Sequence, residues 1–213
     1  LGKEQARITG EKLKHMSEVP QEDHYGKIEI KWKSVTASNL LRAKQTAEII
    51  HGVLGDDVTY EEPDAKLEEG MPLLPSPRGK RSFDTTSPGR VFEESVRVES
   101  AFRAHVHRDI DFKRKHLKSK NKDKVDEGYS PDSEGEKKEE KEDPQHEYEI
   151  IVCHMNIIRY FVCRALQFPP EGWLRMRGDN CGITEIIVYP NGRVSLGRFS
   201  DAGHLKNSQI TFH

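Results

Sequence analysis

The stretch EIIVCHMNIIRYFVCRAL, Glu149 to Leu166, changes its periodicity part-way along and thereby decides the fold. Ile150, Ile151, Val152 and Cys153 make a short, mostly β-branched apolar run behind charged residues, the pattern of a buried strand. Beyond Met155 the apolar residues recur at helical spacing. Ile157, Ile158, Phe161, Val162, Ala165 and Leu166 share one face, with Arg159 and Arg164 off it. Asn156 suits the N-cap of that helix. His154 therefore stands where the carboxyl end of a strand turns into a helix. Ligands of open α/β sheets bind at such ends, and the N–H groups of a helix start favour an anion there. The same position also suits a histidine that merely ends a strand.

The same grammar appears upstream. Gly2–Met16 carries Ala6, Thr9, Leu13 and Met16 at helical spacing among charged residues, which predicts an amphipathic helix. Ile28, Ile30 and Trp32 alternate with charged residues in a strand expected to end near Val35, with a turn at 36–38. Ser38 or Asn39 is the expected N-cap of a helix running to about Leu54, whose face carries Leu40, Ala43, Ala47, Ile50 and Leu54. Gly55 and two aspartates stop it, and Val58-Thr59-Tyr60 follows as a short strand. Strand, helix, strand is the βαβ grammar of a parallel sheet.

From Glu61 to Arg90, Pro72, Pro75, Pro77 and Pro88 with Gly70, Gly79 and Gly89 predict a long loop, of the kind that is functional or disordered. Val91, Val98, Phe102 and Val106 mark a further helix over Val91–Ile110. Residues 111–146 are first basic, then acidic, with almost nothing to bury, and read as a solvated, disordered insert. Its runs also fit a nuclear-localisation signal or an acidic patch, and Ser130 and Ser133 sit in contexts that suit phosphorylation. Beyond Pro169-Pro170, which end the helix, Ile183–Tyr189 and Val194–Phe199 flank Asn191-Gly192, a hairpin signal. One domain is expected, in two parts, 1–110 and 147–213, around the 111–146 insert.

The bulk figures exclude several classes. A net charge of −2 over 213 residues argues against a nucleic-acid binder held by phosphate contacts. Cys153, Cys163 and Cys181 lack metal-ligand spacing, and their odd number makes no disulfide framework, which fits a reducing compartment. No apolar run approaches the ~20 residues of a membrane span, and no secretory leader opens the chain. The first residue is Leu1 rather than a methionine, so the true N-terminus is expected upstream, and any targeting or anchoring segment with it.

Two further residues share the geometry of His154. Arg42 lies in the first turn of its helix, in SNLLRAKQTAEII, and Glu69 follows a short strand in KLEEGMP, with Gly70 permitting a sharp turn. Converging, the three would give a bidentate grip on phosphate, a proton donor and acceptor, and a hydrogen-bond donor to a phosphoryl oxygen. Separately, Arg42 could pair with Glu48, and Glu69 could be solvated.

These motifs carry a resemblance. LGKEQARITG, SNLLRAKQTAEII, Glu69 and VCHMNIIRY together resemble the histidine phosphatase superfamily, whose fold is phosphoglycerate-mutase-like. CHMNIIRYFVCRALQFPPEGWLR and NCGITEIIVYPNGRVSL are similar to its mitochondrial protein serine/threonine phosphatase branch. The resemblance implies an α/β fold with a mostly parallel sheet, helices on both faces and a C-terminal hairpin. It assigns phosphate binding to Arg42, the backbone of Met155 and Asn156, and catalysis to Glu69 and His154. It calls for no cofactor or metal. Phosphoserine and phosphothreonine proteins are the expected partners, with no nucleic acid, a possible homo-oligomer, and an outer mitochondrial membrane reached only through an upstream segment.

The family's nucleophile is the histidine of an Arg-His-Gly motif on its first strand, and this chain contains no Arg-His dipeptide. His15, His24 and His51 lack the strand-end setting. The expectation is a fragment of a phosphatase whose first strand and nucleophile lie before Leu1, inactive as it stands. The alternative is a non-catalytic scaffold that binds phosphoproteins at mitochondria. An upstream frame restoring the motif separates the two.

Overall fold

In the computed structural model, which describes residues 1–19, 21–23, 26–76, 88–106, 147–189 and 192–212, the elements follow one another in the order the periodicities predict, with one small hairpin that they do not. They are α1 (Gly2–Glu18), a small hairpin of β1 (Gln21–Asp23) and β2 (Gly26–Ile28), β3 (Trp32–Ala37), α2 (Leu41–Leu54) and β4 (Thr59–Tyr60). Then come α3 (Pro88–His105), β5 (Tyr148–Val152), α4 (Met155–Ala165), β6 (Ile183–Val188) and β7 (Val194–Asp201). The residues 77–87 and the insert 111–146 lie outside the described set.

Three strands form the central sheet in the order β4-β3-β5, and both pairings are parallel. Alternation along β5 sends its side chains to two cores. Ile151 and Cys153 pack against Val98, Ala101, Ile157 and Phe161 of α3 and α4, while Tyr148, Ile150 and Val152 pack against Leu13, Met16 and Ile50 of α1 and α2. A strand covered on both faces must be apolar at successive positions, as this one is. β6 and β7 pair antiparallel as a separate hairpin, with Ile186 joining the α3–α4 core and Ile183 the α1–α2 core. Gly192 takes φ 81, a left-handed conformation that glycine adopts without penalty, and the Tyr189 N–H donates to the Arg193 carbonyl across the turn at 2.8 Å. Asn191 itself lies outside the described residues.

Several boundaries differ from the expectation. β3 begins at Trp32, because Ile28 pairs with Gln21 in the small hairpin, and it continues to Ala37, which is in register with Val152 of β5. The parallel neighbour thus keeps extended the residues 36 and 37 that the sequence assigned to a turn. The N-cap of α2 is Leu40 rather than Ser38 or Asn39, with no side-chain cap. α3 spans Pro88–His105 instead of starting at Val91, and 107–110 are outside the described set. The N-cap of α4 is His154, not Asn156. Arg159, expected off the buried face, is only 6% exposed.

Candidate active site

The carboxyl ends of β3 and β5 open on the same edge of the sheet, and each delivers one residue of the site. Chain leaving β3 turns at Ser38 to Leu40 and starts α2, whose first turn presents Arg42. Chain leaving β5 passes through the extended His154 (φ −117, ψ 155) into α4. Glu69 arrives differently from the expectation: it follows a single 3-10 turn, Ala65–Leu67, rather than a strand. That turn is capped by the Asp64 carboxylate, which accepts from the Lys66 N–H at 2.8 Å, and Asp64 is itself bridged to Ser38 at the sheet edge.

The three residues meet at the Glu69 carboxylate. Its Oε2 lies 3.9 Å from Nδ1 of His154 and 3.9 Å from a terminal guanidinium nitrogen of Arg42. Side-chain exposure falls from 62% at Arg42 to 22% at Glu69 and 4% at His154, so the arginine stands at the mouth and the histidine at the base. Arg42 thus faces Glu69, where the alternative reading would have paired it with Glu48. Met155 begins α4 directly after His154, so its N–H has no acceptor within the helix and lies at the positive end of the helix dipole. A phosphoryl group held between Arg42, His154 and this helix start would meet three sources of positive potential.

The sequence did not single out the partner that orients His154. Nε2 of the imidazole lies 2.8 Å from Oγ of Ser38, which is fully buried at the end of β3. The Ser38 Oγ also accepts from the Leu40 N–H at 3.3 Å, and the Ser38 N–H donates to the Val152 carbonyl at 2.9 Å, tying the hydroxyl to the sheet. A hydroxyl can accept from or donate to Nε2, so it holds the ring in either protonation state and leaves Nδ1 aimed at the site. The neighbouring Cys153 thiol is pushed up to about 12 by burial, so it remains protonated at neutral pH.

Asn156 supports the site instead of capping a helix. Its amide nitrogen donates to the Gly70 carbonyl at 3.2 Å, next to Glu69, and its amide oxygen accepts from Arg159 at 3.2 Å. The Arg159 Nε donates to the Met176 carbonyl at 2.6 Å. Burial draws the Arg159 pKa down while the Glu69 charge acts the other way. The only sequence signal for this buried arginine was its i+3 spacing from Asn156, which puts both on one side of the helix.

Comparison with known proteins agrees with this architecture. Residues 134–201 match the model of the histidine phosphatase superfamily (branch 1). A crystal structure of phosphoglycerate mutase from Plasmodium falciparum aligns over 100% of this chain and 91% of its own, at a TM-score of 0.54 and 26% identity. The chain is thus similar to the histidine phosphatase superfamily over residues 134–201, and to phosphoglycerate mutase in fold. Among curated proteins it is 38% identical to the serine/threonine-protein phosphatase Pgam5, mitochondrial, of Caenorhabditis briggsae over 212 residues, 100% of this chain and 59% of that protein. The Homo sapiens PGAM5 is 34% identical over 211 residues, 99% of this chain and 57% of that protein. The chain thus spans about three-fifths of the length of these relatives. Both bear the designation mitochondrial, which supports a mitochondrial localisation here.

Proposed function

We propose that this chain carries the phosphate-binding and acid–base residues of a protein serine/threonine phosphatase that works through a phosphohistidine. The observation that carries it is the meeting of Arg42, Glu69 and His154 at one sheet edge beside the start of α4. Arg42 grips two phosphoryl oxygens of a phosphoserine or phosphothreonine side chain. His154, backed by Ser38, and the Met155 N–H stabilise the charge that builds as the P–O bond breaks. Glu69, in its acid form, gives a proton to the departing serine or threonine oxygen. The phosphoryl group passes to a histidine nitrogen of the full-length protein, a nucleophile proposed on the family resemblance. Water then gives its proton to the Glu69 carboxylate and attacks phosphorus; the P–N bond breaks and phosphate leaves.

We propose that the full-length protein works at the outer mitochondrial membrane, a reading supported by the same resemblance. Among the described residues no helix is long and apolar enough to cross a membrane. That the relatives are serine/threonine-protein phosphatases favours phosphoprotein hydrolysis over a mutase reaction on phosphoglycerate. The test is turnover of a phosphoserine peptide by the full-length protein in the presence of EDTA, with acid-labile, alkali-stable phosphoenzyme trapped on rapid quench. His154→Ala should remove most of the turnover. Stoichiometric peptide binding without phosphate release would replace the enzyme with a phosphoprotein-binding scaffold, and isomerisation of a phosphoglycerate without net hydrolysis would replace it with a mutase.

A further inference from the structure

Glu69 is the one member of the site that no strand delivers, so something else must fix its position. The loop 64–71 has three carbonyls, those of Lys66, Glu68 and Glu69, turned toward α3. The two N–H groups at the end of the 3-10 turn are satisfied inside the loop, Leu67 to the Asp64 carbonyl at 3.1 Å and Glu68 to the Ala65 carbonyl at 3.2 Å. The three carbonyls are met by a single side chain. NH1 of Arg97 donates to the Lys66 carbonyl at 2.8 Å and to the Glu68 carbonyl at 2.7 Å, and NH2 donates to the Glu69 carbonyl at 3.4 Å. One turn earlier on the same face of α3, the Glu94 carboxylate accepts from the Met71 N–H and is itself held by Arg90 Nε at 3.0 Å.

Donor and acceptor on α3 therefore close on acceptors and a donor of the loop, on either side of Glu69. Gly70 makes the approach possible, because a Cβ there would overlap the Arg97 guanidinium and lie 3.0 Å from the Glu94 carboxylate. From the opposite side Asn156 of α4 holds the Gly70 carbonyl. We propose that Arg97, with Glu94, is a positioning residue for the acid–base chemistry: it clamps the Glu69 loop onto α3 and so sets the distance from the carboxylate to Arg42 and His154. The proposal rests on the acid–base role of Glu69. A lysine cannot replace the clamp, because a single ammonium lacks the planar fork that reaches three carbonyls from one stem.

The test is made on the full-length protein with Arg97→Ala, Arg97→Lys and Gly70→Ala. The last removes no clamp side chain but displaces the guanidinium sterically, so it guards against a folding failure peculiar to loss of Arg97. Amide hydrogen exchange over residues 66–71 should rise in all three variants while α4 retains its protection. With a phosphoserine peptide, kcat should fall about 10- to 100-fold with KM within about threefold, as expected when a reacting group is displaced by about an ångström. The limb of the pH–rate profile that reports Glu69 should shift. Arg97→Lys should recover little of the loss, and Arg97→Ala with Gly70→Ala should be no worse than either alone. Unchanged exchange in the loop would overturn the clamp. Faster exchange with unchanged kcat and pH profile would overturn its positioning role and leave the phosphatase assignment standing. Absence of turnover in the wild-type protein would overturn that assignment and the positioning role with it, even if the loop were clamped.

Discussion

Replacing Glu99 of α3 by glutamine should loosen the seam between the helix that clamps Glu69 and the helix that begins at His154. The Glu99 carboxylate receives Arg164 of α4 through two bonds, Nε to Oε2 and NH2 to Oε1, each 2.9 Å, with the Tyr160 hydroxyl at 2.8 Å and Arg103 Nε at 3.0 Å. These donors, Arg164 first, hold the Glu99 pKa at about 2 against an ordinary 4.5. At about 1.4 kcal/mol per pH unit that difference corresponds to about 3 kcal/mol. The Arg164 and Glu99 side chains are 36% and 23% exposed, so solvent screening brings the expected contribution to about 1–2 kcal/mol. The folded pKa lies below the unfolded one, so the contribution is complete above about pH 5 and is lost as pH falls from 4.5 toward 2. Urea unfolding at pH 7 should show the Glu99→Gln midpoint lowered by roughly 0.5–1 M, for a slope of about 2 kcal/mol per M. The gap between variant and wild type should shrink visibly by pH 3.5. A gap of the same size at both pH values would refute the electrostatic account and leave only lost packing.

Three other outcomes are expected. Arg42→Ala, at an exposed side chain, should leave stability within about 0.5 kcal/mol and weaken tungstate or inorganic phosphate binding about 10- to 100-fold by calorimetry; unchanged affinity would remove Arg42 from the site. Trp173 is 1% exposed and its indole N–H donates to the Leu73 carbonyl at 3.0 Å, so Trp173→Ala should cost about 3–5 kcal/mol and lower Tm by roughly 10 °C. A fall of 2 °C or less would contradict that packing. His204 lies 2.8 Å from Thr9 Oγ, and burial lowers its pKa below the ordinary 6.5. The neutral ring is thus the stable folded form, and its contribution is lost as pH falls beneath 6.5. Protection factors in α1, taken against the intrinsic exchange rate at each pH, should therefore fall in mildly acid buffer, and His204→Gln should flatten that response.

The parts of the fold that the sequence disclosed are those where one local pattern has one physical solution. The switch of period at Cys153 is a strand becoming a helix, and Ala6, Thr9, Leu13 and Met16 of α1 are all buried as their spacing requires. What stayed hidden depends on neighbours remote in the chain. Residues 36 and 37 look like turn residues until β5 offers them parallel partners. Arg159 reads as a solvent-facing charge, because nothing local reveals that the Met176 carbonyl and Asn156 will satisfy its guanidinium in the interior. The Ser38–His154 contact joins residues 116 positions apart, and the serine was legible only as a candidate cap.

The site divides along the same line. Arg42 and His154 stand at helix starts that follow strand ends, so the βα pattern alone places them on one edge of a parallel sheet. Glu69 has no such warrant. Its loop carries neither helical nor strand periodicity, and its carboxylate reaches the other two residues because Arg97 and Glu94, about 28 and 25 positions further along, turn the loop's own backbone groups inward. Satisfying buried peptide groups is a demand of the whole structure, which a loop meets with whatever side chain a packed helix supplies. The acid–base group therefore has the weakest local signature of the three, and its geometry has the most to lose from a substitution on α3. Arg97→Ala and Glu99→Gln separate the two ways α3 acts: the first releases the Glu69 loop with the α3–α4 seam intact, and the second weakens the seam with the loop still clamped.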